Sequence, residues 1–203
     1  MKLFSGKMLE TLLIEQRRYS EGLLPEIIKR LINCSEAKVD SLRIPDGDDV
    51  WAPGYDGIVS TEVESKYIVA GKSVWEFGCS SDSLAKIESD FEKRTENSLG
   101  IDKANTTFYL VVPKIWAYAK AISEWEAEHR EEWKNVIVYD AAILCDWINS
   151  ELAVAAWLFE IYDKGVHPIA ISSISRAWRD FSKWTDPAFT YVMFTEGREE
   201  QRA

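Results

Sequence analysis

The sequence predicts an α/β domain with a mixed central β-sheet flanked by helices. Short apolar runs, VDSLRI (39–44), YDGIVST (55–61), SVWEFGC (73–79), TTFYLVV (106–112) and VIVYD (136–140), recur along the chain. Their lengths suit strands. Longer segments with helical periodicity precede, separate and follow them, in the order α-α-β-β-β-α-β-α-β-α-α-(β).

Residues 4–19 and 22–33 read as two helices, the second with Pro25 near its first turn and Glu26 favouring the N-terminal dipole. The turn cluster PDGDD (45–49) ends the first strand. A Gly-containing hairpin near 65–72 joins the second strand to the third. Ser81 or Asp82 can N-cap a helix over 83–97. TTFYLVV is almost continuously apolar, as a strand buried on both faces must be. Residues 115–133 form an amphipathic helix, 141–162 are helical with a break at Asn149–Ser150, 173–184 form a last helix, and FTYVMF (189–194) suits an edge strand.

Composition excludes several functions. Of 203 residues, 46% are hydrophobic and nine are Trp, ample for a packed core. The longest apolar stretches are too short to span a bilayer, and the N-terminal apolar run contains acids, unlike a signal peptide. Cys34, Cys79 and Cys145 stand far apart without a CxxC, and there are two His. A disulfide framework or zinc site is therefore not expected, and a reducing cytoplasm is the default. The net charge of −10, spread evenly along the chain, argues against an autonomous nucleic-acid binder with a basic stripe. No Gly-x-x-x-x-Gly-Lys-[Ser/Thr] is present, so no phosphate-cradling ATP loop is expected.

Chemistry concentrates on two acids. Asp56 opens the second strand after Pro53-Gly54-Tyr55, and Glu76 lies inside the third. The hairpin makes these strands neighbours, so two carboxylates on one face offer hard oxygen ligands for Mg²⁺ or Mn²⁺. Such an ion polarises a phosphodiester and lowers the pKa of an attacking water. A lysine nearby would hold that water and stabilise charge developing on phosphorus. Residues i and i+2 of a strand share a face, which points to position 78, but Gly78 has no side chain. Lys86, Asp90 and Lys93 share one stripe of the next helix, beside a packing stripe of Leu84, Ile87 and Phe91. Folded back on the sheet, that helix could point Lys86 into the gap at Gly78.

Plainer readings compete. Glu76 could be a structural acid paired with Lys72 or Arg94, and Lys86–Asp90 a surface i,i+4 pair. The tryptophans, among them Trp116, Trp125, Trp133, Trp147, Trp157 and Trp178, read mostly as core rather than as base-stacking platforms. His129 and His167 read as surface or loop residues.

The segments IPDGDDVWAPGYDGIV, GKSVWEFGCSSD, KIESDFEKRT and FYLVVPKIW, followed by a Trp-rich helical region, resemble restriction-endonuclease-like, PD-(D/E)XK, domains. More narrowly, they resemble the Mrr-type effector domains at the N-termini of large bacterial STAND-type NTPases of antiviral defence. The resemblance runs over residues 5–198. It implies a restriction-endonuclease-like core and divalent-metal-dependent DNA cleavage in the bacterial cytoplasm. Asp56 and Glu76 would bind Mg²⁺ or Mn²⁺, and Lys86 would replace the lysine missing at position 78. Glu10, on the first helix, is a weaker candidate for a supporting acid, and Asp46 of the literal Pro45-Asp46 is a decoy. By the same resemblance the chain is one module, 1–198 with its helical Trp-rich part 141–185, ending in a linker, 199–203. Its partners would be DNA and either further copies of itself or the rest of a multidomain NTPase. The rival is a catalytically silent domain that keeps the fold for partner binding or oligomerisation. A small-molecule enzyme finds no Gly-rich loop or cofactor motif in support.

Overall fold

The computed structural model describes residues 3–15, 17–45, 54–79, 82–116 and 119–162. Five strands form one sheet in sequential order: β1 (Lys38–Arg43), β2 (Gly57–Val63), β3 (Gly71–Phe77), β4 (Thr106–Val111) and β5 (Asn135–Tyr139). β1, β2 and β3 pair antiparallel, whereas β3, β4 and β5 run parallel. A parallel pair needs a crossover. α3 (Ser83–Glu96) and α4 (Ala119–His129) supply the two that this sheet requires. The expected mixed sheet flanked by helices is therefore present. The expected helix over 173–184 and strand over 189–194 lie outside the described residues.

Side-chain alternation sorts the strands onto two faces. Val74, Phe108, Leu110, Val112, Val136 and Val138 point to one face and meet Ile87 and Phe91 of α3 and Ile122 and Trp125 of α4 in a single core. The other face is aromatic. Trp75 stacks on Tyr109 with ring centroids 3.9 Å apart, and Tyr139 meets Trp147 of α5 (Ala141–Ser150) edge to face. Trp75, Trp125, Trp133 and Trp147 are buried, in accord with their reading as core.

Three local expectations need correction. The N-terminal helices do not break near residue 20. α1 (Gly6–Glu10) passes through a π-helical turn (Thr11–Glu15), and α2 runs from Arg17 to Cys34 with Gly22 and Pro25 inside it. An interior proline loses one helical hydrogen bond. Packing prevails here because Leu23, Leu24, Ile27, Ile28, Leu31 and Ile32 are all buried along one run. The helix expected over 115–133 ends at His129, because Trp133 must turn back to pack on Phe108 before β5 begins. His129 is not a plain surface residue. Its ring stacks on Trp125 at 4.1 Å, with Nδ1 2.8 Å from the Trp125 carbonyl.

The break expected near Asn149–Ser150 does occur, between α5 and α6 (Leu152–Tyr162). The chain divides into two compact units, Met1–Ala155 and Ala156–Ala203, and the second is described only over 156–162. Among the described residues no single helix is long and apolar enough to cross a membrane.

Candidate active site

The β2–β3 register decides where the two acids lie. Gly57 pairs with Trp75 and Ile58 with Val74, so one further step sets Asp56 opposite Glu76. Directly opposed residues share a face. That face is the one α3 covers, since Val74 and Glu76 alternate together and Val74 belongs to the core with Ile87 and Phe91. The pair is tied across the strands, with the Phe77 amide donating to Asp56 Oδ2 at 2.7 Å. Asp56 Oδ1 has no partner among the described residues.

Glu76 is 5% exposed, and a buried acid needs compensation. Arg94, in the last turn of α3, gives part of it. Its Nε donates to Glu76 Oε1, its Nη2 donates to the Gly54 carbonyl, and its guanidinium lies 4.8 Å from the Tyr55 ring centroid. Of the two cations proposed as structural partners for Glu76, Arg94 is the one that pairs with it. One arginine thus fastens α3 to Glu76 and to the segment that delivers Asp56.

That compensation is incomplete. Burial, reinforced by the Asp56 charge, pushes Glu76 up to about 8 despite the Arg94 contact. Burial likewise raises Asp56 above the usual carboxylate range; the Phe77 hydrogen bond opposes this, and the Asp90 charge adds to it. At neutral pH Glu76 therefore keeps its proton, and the cations of the site are Arg94 and Lys86.

Position 78 explains itself once α3 is in place. A Cβ built on Gly78 would lie 3.1 Å from Val112 Cγ1 and 3.2 Å from Lys86 Cγ. The stem of Lys86 therefore occupies the volume that a side chain at 78 would need. Its amine reaches Asp90 Oδ1 at 2.6 Å, and its charge pulls the Asp56 carboxyl downward. Asp90 is 7% exposed. The i,i+4 spacing put Lys86 and Asp90 on one stripe, but only the seating of α3 buries Asp90 as a third acid near the other two. Asp82 caps α3 by accepting from the Ala85 amide at 3.3 Å, which fixes the helix start and hence the position of Lys86 one turn on. Glu10 is engaged elsewhere: its Oε1 accepts from the Ile115 amide at 2.8 Å, and it pairs with Lys7 at 3.6 Å. Asp46 lies outside the described residues.

The donor set suits a hard divalent cation. Asp56 Oδ1 and Glu76 Oε2 are both uncommitted among the described residues. Among the described residues no three His, Cys, Asp or Glu side chains are gathered as a metal cluster. Magnesium is commonly held by one or two carboxylates with water and substrate phosphate completing the shell. The chain matches no protein-family model, no curated protein and no solved structure.

Proposed function

We propose that this chain is a divalent-metal-dependent deoxyribonuclease domain with a restriction-endonuclease-like core, the effector module of a larger antiviral defence protein. One observation carries the reading: Asp56 stands opposite Glu76 with both acids under-compensated, while Lys86 fills the space of Gly78 beside them. Asp56 and Glu76 would hold Mg²⁺ or Mn²⁺, which polarises the phosphodiester when bound. Asp90 holds the Lys86 amine, which would orient a water and stabilise charge on the phosphate oxygens. Arg94 keeps the Gly54–Asp56 segment against β3, so the two carboxylates stay paired. The resemblance of GYDG and WEFG to such nucleases supports the same roles.

Cleavage of supercoiled plasmid with Mg²⁺ or Mn²⁺, by this domain and by any longer parent chain, tests the reading. Cleavage by neither, under forced clustering as well, would leave the second reading. That reading is a silent domain that keeps the fold for partner binding or self-association, and it is favoured by the Arg94 contact, which satisfies one oxygen of Glu76 without a metal.

The charge predicts how a single copy behaves. Binding DNA displaces counterions through lysine and arginine, and this chain carries 34 acids against 24 bases. One copy should hold DNA weakly at physiological salt. Several copies on one assembly raise the local concentration and let weak sites act on one duplex. The isolated domain should therefore cut feebly, and fusion to an oligomerising scaffold should raise the rate by about a hundredfold or more. Robust cutting by monomeric domain at 150 mM salt, on the order of physiological ionic strength, would contradict this.

A further inference from the structure

Immediately before Asp56 a small cavity of about 130 Å³ opens between β2 and the turn after α3. Its walls include Arg43, Gly54, Tyr55, Ile58, Leu99 and Ile101. Ile58 lies two residues after Asp56, and Gly54 and Tyr55 lie just before it, so the cavity is lined by residues on both sides of Asp56 in the chain. The Tyr55 hydroxyl donates to the Ser98 carbonyl at 3.1 Å and clamps the turn to the strand that bears Asp56.

The turn is unusual in what it holds out. The Ile101 amide donates to the Ser98 carbonyl at 2.9 Å, and both central residues are left-handed, Leu99 at φ 51° and Gly100 at φ 81°. Two such residues make a type I′ turn, whose first central position favours Asn or Gly. Leucine there is strained, and its side chain is 50% exposed, so neither backbone preference nor burial accounts for it. Strain of this kind persists at sites that use it. Arg43, at the end of β1, is exposed and makes no side-chain hydrogen bond or ion pair among the described residues. In a chain of net charge −10, a guanidinium at the rim of this cavity is a ready phosphate contact.

We propose that this cavity seats one unpaired nucleobase of the strand being cut, with Leu99 and Ile58 against the base and Arg43 on its phosphate. The proposal rests on the deoxyribonuclease reading and adds a substrate class to it: single-stranded or locally opened DNA. Apolar walls accept the face of any base, and the cation at the rim accepts the charge that every nucleotide carries. The volume equals that of about four liquid waters, enough for one base and too little for a base pair.

Binding tests this without relying on cleavage. Wild-type protein and Asp56→Asn are titrated at low salt with a single-stranded oligonucleotide carrying 2-aminopurine, and with its duplex. Both proteins should prefer the single strand and change the probe's emission on binding. Leu99→Asn suits the left-handed position, so it should melt higher than wild type yet bind the single strand about fivefold more weakly, the lower end of what one lost base contact costs. Arg43→Gln should weaken binding and reduce the salt slope by about one phosphate contact. Unchanged binding in both variants, or a preference of the wild type for duplex, overturns the proposal. If the variants behave as expected but wild type never cleaves, the base site stands and the nuclease reading falls. If wild type cleaves and Leu99→Asn binds and cleaves like it, the base site falls and the nuclease reading stands.

Discussion

If the proposed function holds, Asp56→Asn and Glu76→Gln should each lower DNA cleavage by roughly a thousandfold or more, because the metal they would hold would contribute several kcal/mol to the transition state. Both should fold, and both should melt higher than wild type at pH 8. The sign follows from the two protonation states of Glu76, whose folded value stands at about 8 against an ordinary 4.5. Below pH 4.5 the acid is protonated in folded and unfolded chains alike and contributes nothing. Between those values the unfolded chain releases the proton and the folded chain retains it, so stability falls as pH rises, then levels off above about 8. Glu76→Gln removes that slope while keeping an oxygen for Arg94, a gain on the order of 1–3 kcal/mol at pH 8. Asp56→Asn removes one of the charges that raises Glu76 and should flatten the slope in part. Millimolar Mg²⁺ or Mn²⁺ should raise the melting temperature of wild type at pH 8 and of neither variant. Wild-type cleavage by both variants, or an equal metal-induced shift in all three proteins, would remove these acids from the site.

Much of this arrangement is legible in the residues themselves. TTFYLVV could only be a strand buried on both faces, and β4 between its two parallel neighbours is that strand. The short connection after β2 made β2 and β3 adjacent, and so brought Asp56 toward Glu76. What it could not give was register, since a slip of one residue would turn one acid to the aromatic face. That choice depends on Ile58 and Val74 facing the α3 core together while Trp75 takes the side of Tyr109. Arg94 was recognisable as a structural partner of Glu76, but its grip on the Gly54 carbonyl joins residues forty apart and has no local signature. Asp90 was hidden for the opposite reason. A lysine and an aspartate four apart on a helix usually form a solvated pair, and burial of Asp90 follows from the packing of Phe91 and Ile87, not from its own spacing. The N-terminal helix misled because Gly22 and Pro25 are breakers by local rule, whereas a run of buried leucines and isoleucines overrides them.

Lys86→Ala should lower the cleavage rate by about a hundredfold, the size of effect seen when one group stabilising transition-state charge is deleted, while Lys93→Ala should change it little. Lys93 shares the stripe but is exposed, and its charge does not figure among those acting on Asp56 or Glu76. Lys86 differs in its seat: its stem lies against Gly78, its amine is held by Asp90 at 2.6 Å, and Asp56 feels its charge. The contact with Gly78 makes the two positions interdependent. A methyl group at 78 would press on Lys86 Cγ and Val112 Cγ1, so Gly78→Ala should displace the lysine and lower the rate even though it removes no charged group. Shortening the side chain at 86 empties that space. The double variant Gly78→Lys/Lys86→Ala should therefore accept a lysine on the strand, on the same face as Glu76, and recover part of the lost rate. Gly78→Lys alone should be the least active of the set, because two stems then compete for one volume. Equal rates for Lys86→Ala and Lys93→Ala would show that the amine acts only as a surface partner of Asp90. A double variant no better than Lys86→Ala, in a protein that melts like wild type, would show that a lysine at position 78 cannot take the role proposed for Lys86.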